Sequence, residues 1–281
     1  MKKKLKPYLL ALIPFLLLVF MFELMPLFSI ITKSFLSSDE GTFTFENYIT
    51  ILSRPFYQQA IWNSIKISLI SSIIGIIIAF FGAKAVHNSD GKMKRIFMSI
   101  LNMTSNFAGV PLAFAFIILL GKTGIFVILG KKLGIDVLAN FDLYSMKGLT
   151  LIYVYFQIPL ATLLLIPAFD AIREEWKEAA KILRANTFQF WRYVGLPIIF
   201  PSILGTLSVL FSNALVAYAT AYALLVGNAS IIPIRISELF VGDIMQRPEL
   251  GSALSIILII LMIIAFAINN ILTKRLRKDV E

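Results

Sequence analysis

Six long apolar runs, separated by polar segments, dominate the chain: about residues 8–31, 61–83, 96–120, 149–169, 198–226 and 251–271. Each approaches or exceeds the roughly 20 residues that a helix needs to cross a hydrocarbon core about 30 Å thick. Unpaired backbone groups are too costly in lipid, so the runs read as six transmembrane helices of an all-α membrane protein. A further apolar stretch, Gly124–Gly130, is too short to cross and reads as a surface or re-entrant turn. The first run follows Lys2, Lys3, Lys4 and Lys6 and is not followed by a small-residue cleavage site. It reads as a retained helix, not a secretory signal. With no internal repeat and no long linker, residues 1–281 read as one domain.

The polar segments orient the helices. With the N-terminus in the cytoplasm, the inside segments collect 17 of the 26 basic residues. These lie at the N-terminus, at Lys84–Arg95, at Arg173–Arg192 and at Lys274–Lys278. Cytoplasmic loops carry such an excess, and six crossings return both termini to the cytoplasm. Ser34–Ala60 and Gly227–Leu250 then face outward, with Trp62 as an interfacial aromatic.

Composition sharpens this in one respect. The chain is 58% hydrophobic and 15% charged, whereas soluble domains carry about a quarter charged residues. The net charge of +10 invites a nucleic-acid reading, yet the basic residues sit in short clusters beside the apolar runs. The partner they imply is the lipid bilayer, with no nucleic acid. Without cysteine and with His87 alone, disulfides, thiolate chemistry and Cys/His metal sites are excluded. His87 reads as a solvated loop residue.

Candidate chemistry is sparse. Gly121-Lys122-Thr123 resembles the end of a P-loop, but Phe116 stands where the spacing requires glycine. No catalytic constellation is expected, and no metal or cofactor on this chain. Asn228-Ala229-Ser230 matches a short glycosylation sequon. Polar residues within the apolar runs face other helices or an aqueous path. Asn106, Gln157, Ser212 and Asn213 are the candidates for lining such a path, and Glu23 is the one acid inside a run.

One charged segment, Asp170–Pro201, interrupts the apolar pattern on the cytoplasmic side. Ile172, Trp176, Ala179 and Leu183 fall on one face of a short helix. Asp170 is placed to cap it, and Asn186 or Thr187 to start a second helix carrying Phe188, Phe190, Trp191 and Tyr193. Patterning alone fits a docking surface and an amphipathic loop on lipid headgroups equally well.

Glu178-Ala179-Ala180, Arg184, Val194 and Leu196-Pro197 resemble the E-A-A…G…I-x-L-P pattern of the EAA loop, at its spacing. This loop belongs to binding-protein-dependent ABC importer permeases, the MetI-like family. Asn47-Tyr48, Pro55-Phe56 and Asn63-Ser64 are similar to positions that lead into the family's second helix. The departure is Arg184 at the glycine position. Left-handed backbone is costly for arginine, and the expectation is that Asn186 takes over the turn.

The resemblance implies a type I ABC importer permease fold in a bacterial plasma (inner) membrane, with loop 170–197 coupling to an ATPase. Trp176, Glu178, Ala179, Ala180, Leu183, Arg184, Leu196 and Pro197 would form that contact. It also implies a cytoplasmic ABC ATPase dimer holding ATP and Mg, a second permease subunit (homologous or identical) and an extracellular or periplasmic solute-binding protein. Ala217–Tyr222 is most similar to the branch handling polyamines, ferric ions and phosphonates. A polyamine is the expected substrate, with phosphonate and ferric iron as alternatives. The competing class is a stand-alone secondary transporter, which needs intramembrane charges that Glu23 alone hardly supplies.

Overall fold

A computed structural model describes residues 5–37, 41–225, 230–241 and 246–278. Lys2, Lys3, Lys4, Asn228 and Ala229 lie outside the described residues. The elements are α1 (Leu5–Val19), a π-helical turn (Phe20–Leu24), α2 (Met25–Ser34), α3 (Glu46–Ser53), α4 (Pro55–His87) and α5 (Gly91–Ser105). They continue with α6 (Val110–Leu120), α7 (Ile125–Leu133), α8 (Asp136–Ala139), α9 (Met146–Asp170), α10 (Glu174–Ile182) and α11 (Thr187–Phe190). A second π-helical turn (Trp191–Gly195) leads into α12 (Leu196–Leu215), α13 (Ala219–Leu225), α14 (Ile232–Val241) and α15 (Pro248–Lys278). Among the described residues, six stretches are long and apolar enough to cross a membrane. The all-helical architecture expected from the apolar runs is the one observed.

Two of the six expected helices are broken. The third run bends at Asn106–Gly109, where Gly109 takes φ 73°, a value that strains any residue with a Cβ. The stretch Gly124–Gly130, expected to be too short to cross, falls mostly within α7 and inside the third membrane-length stretch, Val110–Leu133, whereas residues 96–105 belong to the separate α5. The fifth run stops at Leu215 and resumes at Ala219. The two breaks meet: the Thr220 hydroxyl donates to the Gly109 carbonyl at 3.2 Å, and the Tyr153 hydroxyl donates to the Ala217 carbonyl. The Gly109 carbonyl also accepts the Ala113 N–H at 3.2 Å, so Thr220 adds a second bond there, while Tyr153 supplies a donor to the Ala217 carbonyl at the other break.

The chain divides into two compact units. The larger comprises Ala60–Ile234 and Leu261–Glu281. Within it, α9 is the most enclosed membrane helix and packs on α5 and α12. The α4 face toward α9 is a stripe of small residues: Ser68, Ser72, Gly75, Ala79 and Gly82. A Cβ on Gly75 would lie 2.9 Å from Gln157 Cβ, so the two backbones approach as closely as glycine allows. Close approach through small residues is the usual means of helix association in lipid, where packing replaces the hydrophobic effect. Asn63 and Ser64 extend α4's contacts. The Asn63 amide donates to the Ser230 carbonyl at 3.0 Å, and the Ser64 hydroxyl accepts the Ile232 N–H at 2.8 Å.

The smaller unit comprises Met1–Gln59 and Arg235–Ile260. Asn47 donates to the Ser34 and Leu36 carbonyls, and Tyr48 donates to the Ser34 hydroxyl. These bonds hold the turn after α2 against α3. The Arg235 guanidinium stacks 4.0 Å from the Phe56 ring centre and pairs with Glu238.

Candidate functional site

The segment between α9 and α12 folds as a short helix, a tight turn and a second helix. α10 begins with Glu174 and Glu175, acids that suit the positive end of its dipole. Lys177 donates to Glu174 at 2.8 Å and, with its charge, holds that carboxyl below the usual range. Asp170 does not cap α10. It ends α9, and its carboxylate accepts a 2.8 Å hydrogen bond from His87 Nδ1. His87 is therefore a tie between the ends of α4 and α9, contrary to its reading as a solvated loop residue. Sequence could not place these residues together because 83 positions separate them.

The turn after α10 also differs from expectation. Arg184 takes the left-handed conformation itself, with φ 56°, the sole non-glycine positive φ among the described residues. The Ala185 N–H bonds to the Ala180 carbonyl at 2.9 Å and the Arg184 N–H to the Lys181 carbonyl at 2.9 Å. This is a Schellman closure, the ending for which glycine is favoured at the position Arg184 occupies. Asn186 opens the next helix instead of making the turn. Its side chain accepts the Gln189 N–H, and Gln189 accepts the Asn186 N–H, each at 2.8 Å. These reciprocal bonds satisfy two N-terminal donors.

The second helix then widens. The Leu196 N–H reaches the Trp191 carbonyl one residue beyond α-helical spacing, and Pro197 has no N–H to contribute. A Cβ on Gly195 would meet the Trp191 ring at 2.7 Å, so glycine is required where that ring crosses the backbone.

Trp176, Ala179, Ala180 and Leu183 line one apolar concavity of about 370 Å³ together with Tyr193 and Val194. Ile182 and Leu183 are 82% and 80% exposed. Glu178 and Arg184 are exposed beside this surface, and Leu196 and Pro197 are exposed on the next helix. The expected coupling residues thus share one segment, but Leu196 and Pro197 do not line the concavity.

The expected path residues separate. Gln157 is fully buried; its amide donates to the Leu210 carbonyl at 2.6 Å and to the Ser72 hydroxyl at 3.3 Å. It ties α9 to α12 and α4. Ser212 is buried as well, while Asn213 is half-buried. Asn106 is exposed at the third-run break, where its amide donates to the Asn102 carbonyl at 2.8 Å. Tyr218 and Tyr222 stack beside the other break at 5.3 Å between centroids, with Tyr222 exposed. Tyr153 is one of the polar residues of the fourth run, which the sequence expects to turn away from lipid; its partner, the Ala217 carbonyl at the distant break, had no sequence signal. Glu23 is exposed in the π-helical turn between α1 and α2.

Residues 71–278 match the family described as binding-protein-dependent transport system inner membrane component. The chain is 30% identical over 279 residues to the spermidine/putrescine transport system permease protein PotB of Haemophilus influenzae, covering 92% of each. It is 27% identical to the trehalose transport system permease protein SugB of Mycobacterium tuberculosis, over 81% of this chain and 77% of that protein. Its fold is similar to that of a bacterial ABC transporter involved in the import of the acidic polysaccharide alginate. That match has a TM-score of 0.76 at 17% identity and covers 96% of both chains.

Proposed function

The chain belongs to the inner membrane components of binding-protein-dependent transport systems, and from that premise we propose that α10 is the contact through which a separate ATPase drives it. The protein is a multi-pass ABC importer permease of the MetI-like family. The observation that carries the proposal is the apolar concavity at Trp176, Ala179, Ala180 and Leu183, with Ile182 and Leu183 bare beside it. A side chain more than three-quarters exposed contributes little to its own fold, so these residues are available to a partner. Glu178, Arg184, Leu196 and Pro197 supply the polar and flanking parts of the same contact.

In this reading a cytoplasmic ATPase dimer binds ATP and Mg and performs the hydrolysis. A second permease subunit completes the path, and an external solute-binding protein in the periplasm or at the cell surface delivers the substrate. The membrane is the bacterial plasma membrane. Movement follows only if α10 binds the two ATPase states unequally, since equal contact shifts no equilibrium. The substrate we propose is a small organic cation of the polyamine class, supported by the relative named for spermidine and putrescine. Asn106 and Asn213 are the residues we place along the path, with Gln157 and Ser212 supporting it from within the helix packing.

The test is co-expression with candidate ATPase and binding-protein subunits, followed by co-purification and by uptake into vesicles loaded with ATP. Wild-type chain should retain the ATPase, whereas Glu178→Lys should lose ATP-driven uptake and loosen the ATPase while still inserting in the membrane. Uptake by this chain alone without ATP would overturn the importer reading. Uptake of another solute with none of spermidine or putrescine would overturn the substrate alone.

A further inference from the structure

The cytoplasmic ends of α4 and α9 do not close against α10. Between them is a cavity of about 240 Å³. Four basic side chains line it: Lys84 and His87 from α4, Lys177 and Lys181 from α10. Its apolar wall includes Phe169 and Ile172, both buried.

The charges around this cavity do not cancel. Asp170 is engaged by His87 at 2.8 Å, and Glu174 by Lys177 at 2.8 Å. Neither Lys84 nor Lys181 forms an ion pair within 4.0 Å of a carboxylate among the described residues, and Lys181 acts on the Glu174 carboxylate only from a longer distance. The Lys84 ammonium lies 4.7 Å from the centre of the Trp191 ring. That contact holds the cation at the cavity without neutralising it. Lys181 follows Lys177 by four residues, so both project from the same side of α10.

A basic rim over an apolar wall, at the cytoplasmic end of membrane helices, is complementary to an anion held at the membrane edge. We propose that this cavity binds a phosphate-type anion, carried on the headgroup of an acidic phospholipid or free as inorganic phosphate. The anion bridges Lys84 of α4 to Lys181 of α10 and so fastens the short helix to the membrane core. Any effect on energy coupling rests on the ATPase contact proposed for α10; the binding itself does not, and a failure to recover the ATPase leaves it standing.

The experiment uses the full chain in phosphatidylcholine nanodiscs at constant ionic strength. One arm titrates inorganic phosphate, the other replaces phosphatidylcholine by phosphatidylglycerol, and the thermal midpoint is read in both. A saturable rise is expected. A rise with phosphate identifies the free anion; a rise with phosphatidylglycerol alone identifies the headgroup. Lys84→Gln with Lys181→Gln should raise the half-saturating concentration about a hundredfold, on the scale of losing two charge-assisted contacts. Lys84→Arg with Lys181→Arg should retain binding, and the exposed Arg95→Gln, away from the cavity, should not change it. Lys181→Gln alone removes an exposed side chain and should weaken binding severalfold even if the double variant does not fold. The proposal is overturned if neither arm raises the midpoint. It is equally overturned if Arg95→Gln weakens binding as much as Lys181→Gln does, because the attraction would then be diffuse.

Discussion

Arg184 makes a left-handed turn that glycine would make without steric strain. The strain of such a residue is about 1–2 kcal/mol, and the Schellman bonds to Ala180 and Lys181 hold it in place. Glycine at 184 would relieve that strain but add freedom to the unfolded chain, about 0.5–1 kcal/mol in the opposite direction. Arg184→Gly should therefore leave the thermal midpoint unchanged or raise it slightly, while Arg184→Val, β-branched at positive φ, should lower it. A melt of both variants in one detergent checks the ordering; a clear loss of stability in the glycine variant would contradict it. The departure from glycine was legible in the sequence. Which residue would make the turn was not, because Asn186 also suits a left-handed position until its capping bonds to Gln189 are seen.

At the level of elements, the α4–α9 contact depends on the absence of side chains. Gly75→Val would drive Cβ into Gln157, 2.9 Å away, and Gln157 cannot move freely because its amide is bonded to Leu210 and Ser72. Overpacking of this kind costs about 1–3 kcal/mol, so the variant should melt earlier, and Gly75→Ala should lie between it and wild type. The helix breaks make a second test. Tyr153→Phe removes the donor to the Ala217 carbonyl, and an unsatisfied buried acceptor costs about 1–3 kcal/mol. A lower thermal midpoint without loss of the remaining helices by circular dichroism is expected. The small-residue spacing on α4 drew no reading from the sequence, since small residues permit a close approach without saying what approaches.

At the scale of the whole molecule, the proposed function puts permeation and energy coupling in different parts of the chain. Asn106 is exposed at the third-run break, and the apolar concavity lies in the α10 segment. Asn106→Leu should reduce ATP-driven uptake several-fold while the ATPase still co-purifies. Transport at the wild-type rate would remove Asn106 from the path. Together with Glu178→Lys, which should affect both readouts, this variant separates passage of the solute from delivery of energy.

The sequence by itself determined the membrane environment, the order of the six apolar runs, and the loop that carries the EAA pattern. Those properties follow from local composition and spacing, which lipid and helix geometry read directly. Only the tertiary structure decided where the third and fifth runs break, that Gln157 is enclosed, and that His87 meets Asp170. It also decided that Lys84 and Lys181 share one cavity. Each of these depends on residues far apart in the chain, and helical periodicity gives the face a residue occupies without naming the helix packed against it.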